Sequence, residues 1–504
     1  MTFARPRFVL LAALCAVLVA LAVPSWAAAA EFTVDGTGDG AVGAAGVSCV
    51  GVGECTLRAA IEAANESSVG VDVIDFDPTI FNGGSTDTIS PALLPEVTTA
   101  TTIDGVGCNP GSAMPCLSGA NASGFALLAV KGAGSTVENV KMSIPGGVVG
   151  IRLIGTGAGN PGIAILDNTI ALTSTSSPST GIGAIGTSSA SGNLIEGNKI
   201  TAVLGANFDF PISLRSGLNR VLGNVLEGSG CCQAGVTIDL GNNGNQIGGD
   251  SEASENVIEG FTGAVSMDGT SGHNDVRRNR GANSSFNFIR GSATPPPTIS
   301  GGFLSGAGGT GEPGATVRVF LSESESEIGG FLGEAIVEGS GNWIVPYAAV
   351  PVGTSIAATQ TLAGATSALT SPLATVIGPA EEKAEREAKE KGTGGGGSTG
   401  TASPSPAPGP TSPAPPAPAP VSPKVKITAG PKRSGTATTA RFRFRAEPAA
   451  GARFECKLDA AKWARCASPR TYKRLKSGRH TFRVRAIAGG LTGAVTKYQF
   501  AVKS

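Results

Sequence analysis

Apolar and polar residues follow one another along this chain with three different periods. In CTLRAAIEAAN at 55–65, Leu57, Ala60, Ile61 and Ala64 recur every three or four positions, which sets them on one face of a helix. Thr56 stands where it can cap that helix. Next come VDVIDFD (71–77), DTIS (87–90) and TTIDG (101–105), short alternating runs between Gly, Pro and Asn turns, which predict strands. From about 137 a longer period takes over, with ENVKM (138–142), DNTIAL (167–172), GNLIEGNKI (192–200), LNRVLGNVLEG (218–228), GNQIGG (244–249), ENVIEG (255–260) and HNDVRRN (273–279).

Asn168, Asn193, Asn219 and Asn245 recur at an almost constant step of roughly 25 residues, a period that indicates a solenoid. Asn tolerates left-handed turn geometry and can hydrogen-bond its copy one rung away, while the Ile or Val two positions on points inward. Residues 70–290 at ~25 per rung predict about nine rungs, a rod of roughly 43 Å at ~4.8 Å per rung.

TPPPTIS at 294–300 breaks the repeat. GTGEPGATVRVFLSES (309–324), EAIVEGSGNWIVP (334–346) and GTSIAATQTLAGATS (353–367) then read as strand and turn, enough for a small β-sandwich, with Val317 and Val319 facing one way and Arg318 the other. EEKAEREAKEK at 381–391 offers i,i+4 charge pairs but is too short for a helix on its own. Residues 392–423 are Gly-, Ser- and Pro-rich, a linker whose Pro part would reach about 60 Å at ~3.1 Å per residue. In 424–504, Phe442, Phe444, Phe482 and Val484 alternate with arginines, which predicts a half-buried antiparallel sheet with Arg441, Arg443, Arg445, Arg483 and Arg485 pointing outward.

Composition narrows the class. Gly 74 and Pro 32 in 504 residues, with only 15% charged residues, suit strands and tight turns better than helices. The formal net charge of zero conceals a division. Residues 424–504 carry 20 Lys and Arg against 3 Asp and Glu, a formal +17, so the rest of the chain is acidic. Arg5 and Arg7 precede an apolar run from Phe8 to Val23, then Pro24 and small residues up to Ala30, the pattern of a secretory signal peptide at 1–30. The run is shorter than the ~20 residues a bilayer span needs. Eight cysteines follow it, and an even number in an exported chain favours disulfides. The spacings suggest Cys49 with Cys55, Cys108 with Cys116 and Cys456 with Cys466, with the pairing of the adjacent Cys231 and Cys232 left open.

CTLRAAIEAAN with VDVIDFDPTIF and TTIDG resembles the N-terminal module of secreted bacterial proteins bearing a Cys-Ser-Leu-Arg-Glu-Ala-Ile motif. Cys55, Leu57, Arg58, Ala60 and Ile61 fit that motif, Thr56 replaces its Ser, and Ala59 stands where it has Glu. GNQIGGDSEASENVIEG resembles parallel β-helix repeats of pectin-lyase-like shape. GTGEPGATVRVF with GNWIVP, and FECKLDAAKWARCASPRTYKRLKSGRHTFRVRA, resemble Ig- or fibronectin-like domains of exported bacterial proteins. The resemblance implies an all-β chain: a right-handed parallel β-helix with an N-terminal helical cap, followed by two small Ig-like β-sandwich domains. The expected divisions are a cap module with the first rungs at 31–105, a β-helix at 106–293, an Ig-like domain at 294–377, a charged segment and linker at 378–423, and a basic domain at 424–504.

Two function classes compete. A polysaccharide lyase or hydrolase would need clustered carboxylates and a basic side chain, for which Asp239, Asp250 and Asp268 with Arg277, Arg278 and Arg280 are the candidates. Residues 31–298 contain neither Trp nor Tyr, the aromatics that suit sugar-stacking sites. GGSTG at 396–400, the one G-x-S-x-G match, falls in the linker, where no strained elbow forms. No C-x-x-C occurs, His273 and His480 fall in different domains, and no cofactor motif is present. The favoured expectation is a secreted or cell-surface protein with a structural, adhesive or polymer-binding role. Its partner would be an anionic envelope or extracellular polysaccharide rather than nucleic acid, held by the five arginines.

Overall fold

The computed structural model describes residues 29–381 and 424–503, apart from short loop stretches such as 156–161, 186–191 and 204–208. The leader at 1–28, most of the charged stretch, the linker, and Cys231 and Cys232 lie outside the described residues. The described chain is all-β apart from one α-helix and two short 3-10 turns. Its larger part is a parallel β-helix of about six turns.

Each turn of the solenoid lays one strand in each of three sheets. Strands such as Ala164–Leu166, Leu194–Glu196 and Arg220–Leu222 pair in parallel in the first sheet. Thr169–Leu172, Lys199–Ala202 and Val225–Gly228 do so in the second. Thr180–Ile185, Phe210–Arg215 and Val236–Ile238 do so in the third. The register stacks like on like: Ile165, Ile195, Val221 and Ile247 in the first sheet, Ile170, Ile200, Leu226 and Ile258 in the second, and Ile182, Ile212, Val236 and Val265 in the third. All are fully buried, each side chain contributing about 1.5–3 kcal/mol.

The asparagines form two ladders rather than the single series expected. Asn168, Asn198, Asn224, Asn256 and Asn279 line the bend from the first sheet to the second, each amide donating to the Oδ1 of the next at 2.8–3.0 Å. Asn193, Asn219, Asn245 and Asn274 line the bend into the first sheet, linked at 2.9 Å. The step from Asn168 to Asn193 therefore joins different corners. Loops of unequal length between the sheets lengthen most turns beyond the expected period, and turns complete in all three sheets are fewer than the nine rungs expected, although nine strands stack in the first sheet. On three rungs the left-handed residue is also not the ladder Asn but the one before it, Asp167, Gly197 and Gly223, with φ of 56°, 72° and 61°; Asn139, before Val140 at the same position of the preceding rung, has φ of 62°, and Glu255, before Asn256, is extended at −68°.

Leu57–Glu66 is the helix, and Thr56 caps it by accepting from the Ala59 N–H at 3.1 Å. Leu57, Ala60, Ile61 and Ala64 are buried with Phe32, Val34, Ile74 and Phe76 of the first strands in one core. Arg58 grips Asp39 through Nε at 3.0 Å and Nη2 at 2.9 Å, and also donates to the Leu93 carbonyl. Disulfides Cys49–Cys55 and Cys108–Cys116 fasten this end.

The strands of 298–377 form one sheet whose members share a core of Val317, Val319, Trp343, Val345 and Ile356. This unit is joined to the solenoid. Glu327–Ile328 pairs antiparallel with Asn279–Ala282, the last strand of the second sheet, and Phe320, Ile328, Ala357 and Leu369 merge with the solenoid core. The Thr366 hydroxyl accepts from the Val276 N–H at 2.9 Å. Arg318 faces away from Val317 and Val319, as the alternation predicts, but is buried, bonded to Glu334 at 3.0 Å and 3.7 Å from Asp275 of the solenoid.

In the C-terminal region a three-stranded sheet faces a second sheet across Phe442, Phe444, Phe482, Val484 and Phe500, with Phe442 stacked on Phe482 at 4.0 Å between ring centroids. Cys456–Cys466 bridges the paired strands Arg453–Leu458 and Ala464–Cys466.

Candidate functional site

Alternation places the charged residues of the C-terminal module on its outer faces, and there are two such faces. Arg441, Arg443 and Arg445 belong to Ala440–Glu447 of the three-stranded sheet, whereas Arg483 and Arg485 belong to Gly478–Ala488 of the other. Arg441 therefore lies on a different sheet from Arg483 and Arg485. The side chains of Arg443 and Arg445 lie outside the described residues.

On the larger sheet, Lys457 sits opposite Arg483, and Arg483 opposite Lys497, so three cations follow one another across three neighbouring strands. Like charges directly opposite destabilise a sheet. Arg483 donates to the Asp459 carbonyl at 3.1 Å and Lys497 is exposed, so the row keeps its net charge at the surface. Arg485 differs: its Nη2 and Nε bind Glu455 at 2.6 and 2.8 Å, and its guanidinium lies 4.6 Å from the Trp463 ring centroid. Lys457 Nζ lies 5.1 Å from the same ring, so Trp463 braces two cations by its π-face. Sequence reasoning missed Lys497; alternation in KYQFAV (497–502) is the signal for its outward position, but placing it beside Arg483 requires the register. At the end of this sheet, the hydrogen bond from His480 Nδ1 to Asp459 at 2.8 Å, followed by the contact of Nε2 with the Lys476 carbonyl, raises the imidazole pKa.

The candidate lyase residues are dispersed. Asp239 and Asp268 occupy adjacent rungs at the end of the third sheet, with Arg215 3.8 Å from Asp239. Burial pushes the Asp239 carboxyl above its usual range, Arg215 opposes this, and Asp268 adds to it. Asp250 lies apart from that pair, bonded to Arg277 at 2.8 Å. Arg277 also bonds Asp275 at 2.6 Å, Arg278 bonds Glu255 at 2.6 Å, and Arg280 is 3.9 Å from Glu255. These arginines are thus counter-ions to carboxylates. Among the described residues no group of three His, Cys, Asp or Glu side chains is arranged to hold a metal ion. Where the solenoid meets the next unit, a cleft of about 680 Å³ is lined by Glu252, Glu255, Glu259, Arg278, Arg280 and Phe331. Arg278 lies over the Phe331 ring at 4.3 Å. Segments distant in the sequence build this cleft, and no local pattern announces it.

No protein-family model matches the chain, and no curated protein matches it. Solved structures with detectable similarity include a biofilm-associated protein BSP domain (11% identity, TM-score 0.14, 42% of this chain and 29% of that one). Others are chicken CNTN1 FN1-FN3 domains (9% identity, TM-score 0.13, 42% and 70%) and Titin-A168169 (10% identity, TM-score 0.15, 42% and 100%). The chain spans less than a third of the length of the first of these, and likeness at such TM-scores carries no argument about fold or function.

Proposed function

We propose that this protein is exported and acts at the cell surface or in the extracellular matrix, where its C-terminal module holds an anionic polymer and the β-helix is a stiff spacer. The observation that carries the reading is the row of Lys457, Arg483 and Lys497 across three adjacent strands. It costs stability in the free protein, and a polyanion would relieve that cost. The disulfides fit an oxidising compartment, and no described helix is long and apolar enough to cross a membrane. In this reading the leader at 1–30 is removed, the helix Leu57–Glu66 covers the open end of the solenoid, and the units at 294–377 and 424–504 serve as Ig-like modules. The test is a screen of the exported protein against charged and neutral polysaccharides, scoring binding and bond cleavage together. Binding to anionic polymers without cleavage is expected. Unsaturated products from a uronate polymer, lost on Asp268→Ala or Arg278→Ala, would replace this reading with an enzymatic one.

A further inference from the structure

The first sheet of the β-helix carries an acidic ladder. Asp75 stands opposite Asp104, and Asp104 opposite Glu138, on three consecutive rungs, with Asp167 at the bend of the next. Rungs ~4.8 Å apart hold these carboxylates close enough to repel. The Asp75 carboxyl is raised above its usual range by burial, with Glu31 and Asp104 adding like charge and Thr33 opposing. Glu138 is itself buried. Such a column is poorly placed for stability unless a cation covers it. Arg441 of the C-terminal module covers its far end, with Nη1 3.2 Å from Glu138 Oε2 and Nη2 3.3 Å from Asp167 Oδ2, while Asp104 accepts from the Asn139 amide at 2.7 Å.

We infer that the acidic ladder is the docking surface for the three-stranded face of the protein's own basic module. The charges match, a +17 module against an acidic body. The chain from 382 to 423 is long enough for the module to reach the rod or to leave it. The faces are divided accordingly. Arg441 turns toward the solenoid, while Lys457, Arg483 and Lys497 lie on the opposite sheet and stay outward. Docking thus orients the polymer-binding row and does not compete with it.

Small-angle scattering of the full exported chain tests this. At low salt the wild type should be compact, and at ~0.5 M salt, where the Debye length is roughly 4 Å, its radius of gyration should rise by roughly 5 Å. Glu138→Gln with Asp167→Asn should give the extended value at every salt concentration. Arg441→Gln, which changes the other side of the contact, should do the same, and an unchanged circular dichroism spectrum confirms that each variant is folded. Identical radii for wild type and variants across the series would overturn the inference. So would a concentration-dependent doubling of mass at low salt that these substitutions abolish, because the ladder's occupant would then be a second copy. Polymer retention by the Glu138→Gln, Asp167→Asn variant stays as in the wild type if the outward row holds the polymer. If the wild type is not retained while its salt-dependent expansion persists, the function proposed above falls and the docking stands.

Discussion

Asn198 shows how much one buried amide does in this fold. Its side chain donates to Asn224 Oδ1 at 3.0 Å and to the Ile165 carbonyl at 2.9 Å, and its Oδ1 accepts from the backbone N–H and the amide of Asn168, both at 3.0 Å. It is fully buried, so truncation strands several polar groups away from water. Asn198→Ala should cost about 3 kcal/mol in denaturant unfolding followed by circular dichroism, and a loss under ~0.5 kcal/mol would contradict the ladder's role. The sequence displayed the asparagines and, for every ladder member but Asn279, the aliphatic residue two positions on. It could not show that they divide between two corners, because a coil with three sheets per turn has three bends in every turn and asparagines line two of them. The left-handed position before the ladder was hidden for a different reason. Asn139, Asp167, Gly197 and Gly223 share a backbone conformation but not a residue type.

At the scale of elements, the helix beside the first strands was legible and the strand that joins the far end of the solenoid was not. The spacing of Leu57, Ala60, Ile61 and Ala64 predicted the helix that packs on the first strands. Nothing local predicted that Glu327–Ile328 joins the second sheet, because that strand is short, lies far along the chain from its partner and pairs in the opposite direction. The unit after TPPPTIS read as a separate bead. In the fold it closes the last turn with Phe320, Ile328, Ala357 and Leu369. Removing it would expose an apolar rung and unpaired strand edges, which favour association. A chain ending at residue 293 should therefore elute from size-exclusion chromatography as oligomers or aggregates, and a stable monomer with unaltered circular dichroism would show that the solenoid needs no such closure.

For the whole molecule, charge is segregated between an acidic rod and a basic module. Composition revealed the imbalance, and alternation in RFRFRA and HTFRVRA revealed that arginines point outward. Which cations stand together was not legible, because that depends on the pairing of Arg453–Leu458, Gly478–Ala488 and Thr496–Val502, strands separated by loops of different length. The pairing groups Lys457 and Lys497 with Arg483, ties Arg485 to Glu455, and turns Arg441 to the rod. The central claim is that the row on the larger sheet holds an anionic polymer, and retention of the full chain on immobilised dextran sulfate, beside neutral dextran, tests it most directly. Between 0.1 M and 1 M salt the Debye length falls from ~10 Å to ~3 Å, so the wild type should bind the charged matrix and elute within that range, while a Lys457→Gln, Arg483→Gln, Lys497→Gln variant elutes earlier. Equal elution of the two proteins, or retention indifferent to salt, would contradict the account.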